Sequence, residues 1–392
     1  MELRRVGGLP PYVFAAINEL KLELRRAGED VVDLGFGNPD LPSPGVAVEK
    51  LREAVLNPRN HRYSASRGIP NLRRAVCDLY RRRFGVTLDP ETQVVTTIGA
   101  KEGLAHLMWV LVEPGDAAVV PGPSYPIHQF APAFAGATVE PARVEPGEDP
   151  LGSIVEACER CRPRPRVLVL SFPHNPTTAT VELDVMQRVV DLARERELLV
   201  VHDFAYADVA FDGHVPPSIL QVEGAAEVAV ELYTLTKSFS MAGWRVGFVV
   251  GNAEVVRALA RLKSYLDYGT FQPIQIASIV AMNETPEYPV EICEAYRSRR
   301  DALCDGLARI GWTVPRPKGT MFVWAPIPEP YRSLGSLEFA VKLAREARVA
   351  VSPGVGFGAL GDGHVRFALV ENEHRIGQAI AGLRRVLRAA QE

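Results

Sequence analysis

Through most of the chain, short runs of β-branched and aliphatic residues alternate with longer stretches whose apolar positions recur every three or four residues. QVVTTIG, DAAVVPG, RVLVLSF, LLVVHD and EVAVELYTL are near-continuous apolar runs of strand length, the pattern of strands buried on both faces. KEGLAHLMWVLV and LDVMQRVVDLARERE carry helical spacing instead. This alternation predicts an α/β architecture, a mostly parallel sheet with helices on both faces. WRVGFVVGN adds one more strand, and residues 254–266 and 272–283 read as helices.

The flanks carry a different pattern. Near the start, YVFAAINELKLELRRAG is an amphipathic helix that Gly28 ends. The segment LGFGNPDLPSPG comes next, where Gly35 and Gly37 let the backbone approach a neighbour closely. Helices are expected over 46–56 and over 70–84, the second with Pro70 in its first turn. Beyond the sheet region, a long helix over 290–310 leads to short strands in GTMFVWAPI, RVAVSPG and HVRFALV, with helices over 336–347 and 372–390. That mixture predicts a smaller α+β lobe. The length of 392 residues agrees with a large core plus a second lobe.

Composition excludes several function classes. With 23% charged and 47% hydrophobic residues the chain has the make-up of an ordinary soluble protein, and its net charge of −3 gives no reason to expect nucleic acid or an anionic membrane as partner. No apolar run reaches signal-peptide or membrane-spanning length, so a cytoplasmic protein is expected. Five cysteines, odd in number and thinly spread, do not make a disulfide framework. Cys158 and Cys161 form a CxxC without a second pair, and they read as two thiols on a helix turn. His106, His128, His174 and His202 lack metal-like spacing and read as packing or turn residues; no metal is expected. GVGFGALG satisfies a GxGxxG pattern, but a strand-like segment follows it where a dinucleotide site needs a helix.

Small-molecule chemistry is left, and the strand ends carry it. In open sheets of this kind, ligands sit outside the carboxyl ends of the strands. A small-residue turn at Gly99, Ala100 and Lys101 follows QVVTT and opens a helix, a place for a phosphate. Asn175 follows RVLVLSF, Asp203 ends LLVVHD with Tyr206 three residues on, and Thr234, Thr236 and Lys237 follow EVAVELY. Arg245 lies eight positions beyond Lys237. Each has an ordinary explanation as a turn, cap or core residue. Jointly, an acid, a phenol, an amide, a phosphate turn and a lysine converge on one pocket.

Pyridoxal phosphate requires that set. Its aldehyde needs a lysine amine, Lys237; its pyridine nitrogen needs a carboxylate, Asp203; its 3-oxygen needs donors such as Tyr206 and Asn175; and its ring face suits Tyr125. The phosphate suits the Ala100–Lys101 turn, Thr234, Thr236 and Arg245.

GAKEG, PGPSYP, HNPT, HDFAYAD, TLTKSFSMAGWRVGF and HVRFALVEN together resemble the class I and II aminotransferases of pyridoxal-phosphate fold type I, over nearly the whole chain. The resemblance implies that Lys237 holds the cofactor, Asp203 pairs with its ring nitrogen, Asn175 and Tyr206 address its 3-oxygen and Arg245 its phosphate. It further implies that Arg366 clamps the substrate α-carboxylate above Gly37, and that Tyr12 closes the pocket mouth. Tyr63 matches a tyrosine lent to the neighbouring subunit's phosphate, hence a homodimer with shared sites. Arg67 or Tyr268 is a candidate for contact with the substrate side chain. By the same resemblance, residues 1–40 join a small domain formed by 289–392, and 41–288 form the large cofactor-binding domain. HRYSASRGIP, HDFAYADVAFDG and SPGVGFG look most like bacterial alanine (glutamate–pyruvate) aminotransferases, exchanging an amino group between alanine or glutamate and pyruvate or 2-oxoglutarate. Alternatives are an LL-diaminopimelate or other amino-acid aminotransferase, and a carbon–sulfur lyase of the same fold.

Overall fold

The computed structural model describes residues 13–388. In chain order the first elements are α1 (Val13–Arg26), β1 (Val32–Asp33), α2 (Gly45–Val55), α3 (Pro70–Phe84), β2 (Val94–Thr97), α4 (Ala100–Leu111), β3 (Ala117–Gly122) and α5 (Pro126–Ala135). Next come β4 (Thr138–Arg143), α6 (Leu151–Arg160), β5 (Val167–Leu170), α7 (Leu183–Arg196), β6 (Leu199–Asp203), β7 (Ala229–Thr234) and β8 (Gly247–Gly251). The last third holds α8 (Ala253–Leu266), α9 (Gln272–Glu284), α10 (Tyr288–Arg309), β9 (Phe322–Pro326), α11 (Gly335–Lys342), β10 (Val349–Ala350), β11 (Ser352–Pro353), β12 (His364–Ala368) and α12 (Glu373–Arg388).

Seven strands form one sheet in the order β2-β8-β7-β6-β5-β3-β4. Every pairing is parallel except those of β8, which runs against both β2 and β7. Alternate residues of one strand enter different apolar clusters: Leu168 and Leu170 pack under α6 and α7, whereas Val167 and Val169 pack under α4 and α8. The sheet is thus covered on both faces, which is why its strands read as continuous apolar runs. The expected α/β fold with a mostly parallel sheet is observed.

Two elements depart from the expectation. β4 shows no apolar run in the sequence because it is the sheet's edge, with most of its side chains partly exposed and its ladder supplied by β3 alone. α5 begins with Pro126, which fits a first turn, and holds Pro132 in its interior, where a proline removes a helix hydrogen bond, so the two prolines mask the helix in the sequence.

The second lobe is built from both ends of the described chain. β1 pairs in parallel with β10, and β9, β12 and β11 form an antiparallel sheet. Ile17, Val31, Val32 and Leu34 share one apolar cluster with Leu303, Phe339, Val349, Phe367 and Leu383. This docking brings α1 and the segment after β1 over the carboxyl edge of the large sheet. Among the described residues no helix is long and apolar enough to cross a membrane.

Candidate active site

Because most strands are parallel, their carboxyl ends open into a single crevice. After β2, Gly99 takes a φ of +81°, and α4 starts at Ala100, so the first-turn N–H groups of α4 face that crevice. β3 leads to Tyr125 at the entry of α5, β5 to Ser171 and Asn175, and β6 ends on Asp203. β7 ends on Thr234, and a one-turn helix, Leu235–Ser238, carries Thr236 and Lys237. β8 runs the opposite way, so Arg245 just before it returns to the same edge. Arg366 on β12 enters from the smaller lobe. A cavity of about 620 Å³ is lined by Ala100, Tyr125, Asn175, Asp203, Lys237 and Arg366 among others, together with Gly37 and Tyr206.

Lys237 lines this cavity. Its Nζ donates to the Gly37 carbonyl at 2.9 Å and lies 5.9 Å from the Tyr206 ring centroid. Burial, then the nearby Arg366 and Arg245 guanidinium groups, pull the ammonium down to about 7 from its ordinary 10.5. A lysine so placed is substantially neutral at neutral pH and is a nucleophile or a base. Tyr206 is buried, which holds its phenol well above the usual range and keeps it a donor.

Arg366 is held with great specificity. Its guanidinium carbon lies 3.8 Å from the Phe322 centroid and 4.6 Å from that of Phe357. Nη1 donates to the Asn175 amide oxygen at 2.6 Å, and Nη2 to Gly35 O and Ser352 Oγ, both at 3.4 Å. A planar fork clamped between rings is built to receive a carboxylate in two-point contact. Gly37 must lack a side chain here, since a Cβ would stand 2.5 Å from the Phe322 ring.

The other end of the cavity is an anion cradle. A Cβ on Gly99 would fall 2.3 Å from Arg245 Nη2, and one on Gly247 would fall 2.7 Å from the Ala100 nitrogen. Glycine at both positions lets the guanidinium close on the N-terminus of α4, where amide N–H groups and helix dipole add to its charge. Thr234 Oγ1 is engaged in the backbone, accepting from Thr236 N and donating to Val246 O at 2.8 Å. The hydroxyl turned to the cradle is that of Thr236, 2.8 Å from Thr234 Oγ1. Lys101 stands at the rim, its Nζ 5.7 Å from the Tyr125 centroid. The cradle and the lysine fit a phosphorylated aldehyde.

Asp203 has a partner that the sequence does not disclose. His128 Nε2 lies 2.8 Å from Asp203 Oδ2, its Nδ1 is 3.2 Å from Ser124 Oγ, and Ala205 N donates to Oδ1 at 3.2 Å. The sequence makes His128 a packing or turn residue; in the structure it lines the cavity and fixes the carboxylate. The missed signal is its place three residues after Tyr125, one helical turn into α5 and on the same face. Behind Asp203, His202 bonds the buried Glu231, which also accepts from Tyr80, Ser218 and the Ile219 N–H. His174 is packed away, and burial followed by His128 pulls its imidazole down to about 3.

Residues 29–382 match the family model described as aminotransferase class I and II. The chain belongs to this family. The aminotransferase is 52% identical to the glutamate-pyruvate aminotransferase AlaC of Escherichia coli over 98% of its own length and 93% of that protein. It is 42% identical to an LL-diaminopimelate aminotransferase of Desulforudis audaxviator, covering 98% and 97%. Among solved structures it is similar to substrate-bound BacF from Bacillus subtilis, with 33% identity, 98% of each chain covered and a TM-score of 0.91.

Not every candidate of the aminotransferase meets in this cavity. Tyr63 is 83% exposed and packs on Tyr268 with centroids 4.3 Å apart, outside the cavity formed by one chain. Arg67 pairs with Glu91 instead of lining the pocket. Tyr12 lies outside the described residues. Among the described residues one group, Glu102, His106 and Asp267, has metal-like proximity, and the Lys263 ammonium sits in it, 2.7 Å from Glu102 and 2.8 Å from Asp267. The cation that site calls for is already part of the chain.

Proposed function

We propose that this aminotransferase uses pyridoxal 5'-phosphate held on Lys237 to move an amino group between alanine or glutamate and pyruvate or 2-oxoglutarate. The observation that carries the reading is Lys237 itself, an amine pulled down to about 7 in a cavity with a carboxylate clamp at one end and an anion cradle at the other. When bound, the cofactor supplies an electron sink that renders the substrate Cα–H acidic. The chain's residues do the rest. Asp203, fixed by His128, holds the proton on the ring nitrogen; Asn175 and Tyr206 donate to the ring oxygen; Tyr125 lies by the ring face. Ala100, Lys101, Thr234, Thr236 and Arg245 form the phosphate end, Thr234 by positioning Thr236. Arg366, over Gly37, retains and orients the α-carboxylate, and Lys237 Nζ holds and moves the proton at Cα.

The substrate pair is supported by the similarity to the glutamate-pyruvate enzyme, at higher identity than the LL-diaminopimelate one. A homodimer is supported by exposed aromatic residues at Tyr63, Tyr265, Tyr268 and Phe271, a surface on which Tyr63 would reach the partner's phosphate. We assign residues 41–288 to the large domain, 1–40 and 289–392 to the small one, and the enzyme to the cytoplasm.

Borohydride reduction of the purified protein should leave a cofactor adduct on Lys237, located by peptide mass. A panel of donors against pyruvate, 2-oxoglutarate and oxaloacetate should rank alanine and glutamate first. LL-diaminopimelate ranking first would overturn the substrate pair, and pyruvate with ammonia released without an acceptor would instead establish a lyase.

A further inference from the structure

The wall of the cavity built from α1 and the segment around β1 holds an ion pair that the proposed cofactor site does not use. Lys21, on α1, donates to Asp33 Oδ2 at 2.6 Å, and both residues line the cavity with Gly35 and Gly37. The two side chains are mostly withdrawn from solvent, 11% and 20% exposed. Their roles differ. Asp33 Oδ1 accepts from Gly35 N at 3.0 Å and Phe36 N at 3.4 Å, so its carboxylate is anchored in the turn that carries Gly35 and Gly37. Among the described residues the Lys21 ammonium, at the end of a flexible stem, makes one hydrogen bond, and an ammonium carries three N–H donors, which leaves two for a ligand in the cavity. The carbonyl of Gly35, two residues from Asp33, accepts from Arg366 Nη2, which places the pair one turn away from the α-carboxylate clamp.

An enzyme that takes both alanine and glutamate must accept a methyl group and a carboxylate in one place. An apolar wall would reject the carboxylate, and a lone buried ammonium would be left uncompensated by the methyl. A lysine already paired with an anchored carboxylate meets both demands.

We propose that Lys21 receives the distal carboxylate of the dicarboxylic substrate, while Asp33 holds and neutralises it when the monocarboxylic substrate is bound. This rests on the substrate pair proposed above, and on Arg366 binding the α-carboxylate. Asp33 is a positioning residue. Lys101, the other rim lysine, is the rival, but it is exposed, and its ammonium lies over Tyr125 beside the anion cradle.

Titration calorimetry on the holoenzyme with glutarate and with propionate separates the two carboxylate sites without turnover. Lys21→Met should weaken glutarate binding by about tenfold or more, the loss of a charge-assisted hydrogen bond, and leave propionate within about twofold. Lys21→Arg should restore glutarate. Asp33→Asn, which keeps the acceptor for Gly35 and removes the competing charge, should tighten glutarate and weaken propionate, whose methyl then faces an unneutralised ammonium; this variant decides the matter if Lys21→Met does not fold. Equal weakening of both acids in Lys21→Met, no weakening of glutarate, or glutarate lost only in Lys101→Met would each overturn the role of Lys21 and leave the function standing. Failure of wild-type enzyme to bind either acid would overturn the reading of Arg366, and the Lys21 proposal with it.

Discussion

Two lysines withdrawn from water, Lys237 and Lys263, sit in regions of opposite design. Lys263 is fully buried, yet it lies between the carboxylates of Glu102 and Asp267 and ties the first turn of α4 to the segment after α8. Lys237 has no carboxylate among its hydrogen-bond partners; it touches a carbonyl, and its closest charged influences are two arginines. The same side chain becomes a structural cation in one place and a reactive amine in the other. Burial and the two guanidinium groups together disfavour the charged form of Lys237, whereas at Lys263 two carboxylates face the side-chain nitrogen. Glu102 shows the other side of the arrangement: burial raises its carboxyl, but His106 and Lys263 together hold it below the usual carboxylate range.

The contrast breaks most sharply at turnover. Lys237→Ala should lower transamination by about 10³-fold, the scale of losing a general base and covalent tether, in steady-state assays with alanine and 2-oxoglutarate. Near-normal turnover would remove Lys237 from the chemistry. Asp203→Asn should cost on the order of 10²-fold in turnover while the variant still binds cofactor, because the electrostatic hold on the ring nitrogen is weakened but the shape persists. Unchanged turnover there would dissolve the role of the His128–Asp203 pair.

Stability separates the lysines in the other direction. Lys263→Met leaves two carboxylates facing each other, and after allowing for their partial exposure the apoprotein should lose about 2 kcal/mol in urea unfolding. The matching Lys237→Met apoprotein should instead gain stability at pH 7, because the substitution removes an amine whose charged form burial disfavours. Should both variants be equally destabilised, the two regions do not differ in kind.

The smallest effect is a pH slope. The native Lys237 releases its proton at about 7, against 10.5 for the ordinary amine. Between those values the unfolded chain binds the extra proton, so Lys237 makes the apoprotein more stable as pH rises through that window. Below about 7 the penalty of the buried charge is fully present. The slope is at most about 1 kcal/mol per pH unit. Subtracting the Lys237→Met profile from wild type isolates it, and a flat difference would mean that the amine is not depressed.

Much of the site is legible in the sequence because it is local. Asp203, Thr234 and Lys237 each follow an apolar run, and a parallel sheet turns such positions toward one edge. β4 is illegible because, unlike the buried edge strand β2, most of its side chains are partly exposed and need no continuous apolar run, and α5 because Pro126 and the interior Pro132 both read as breakers. For His128 the test of metal spacing is blind to a partner 75 residues away, and the spacing from Tyr125 that puts both on one face is readable only once α5 is known to be a helix.

From the sequence alone came the periodicities that dictate a doubly covered sheet, and the side chains, amine, acid, phenol and guanidinium, that the chemistry needs. Only the folded chain decided which polar groups face each other: Arg366 against the Asn175 amide across 191 residues, Lys263 against Glu102 across 161, Lys21 against Asp33 over the turn between α1 and the pocket. Hydrogen bonds and desolvation act over a few ångströms of space and take no account of separation along the chain. One lysine is therefore a depressed amine on a cavity wall and another a brace between carboxylates, though nothing in their own residue type distinguishes them.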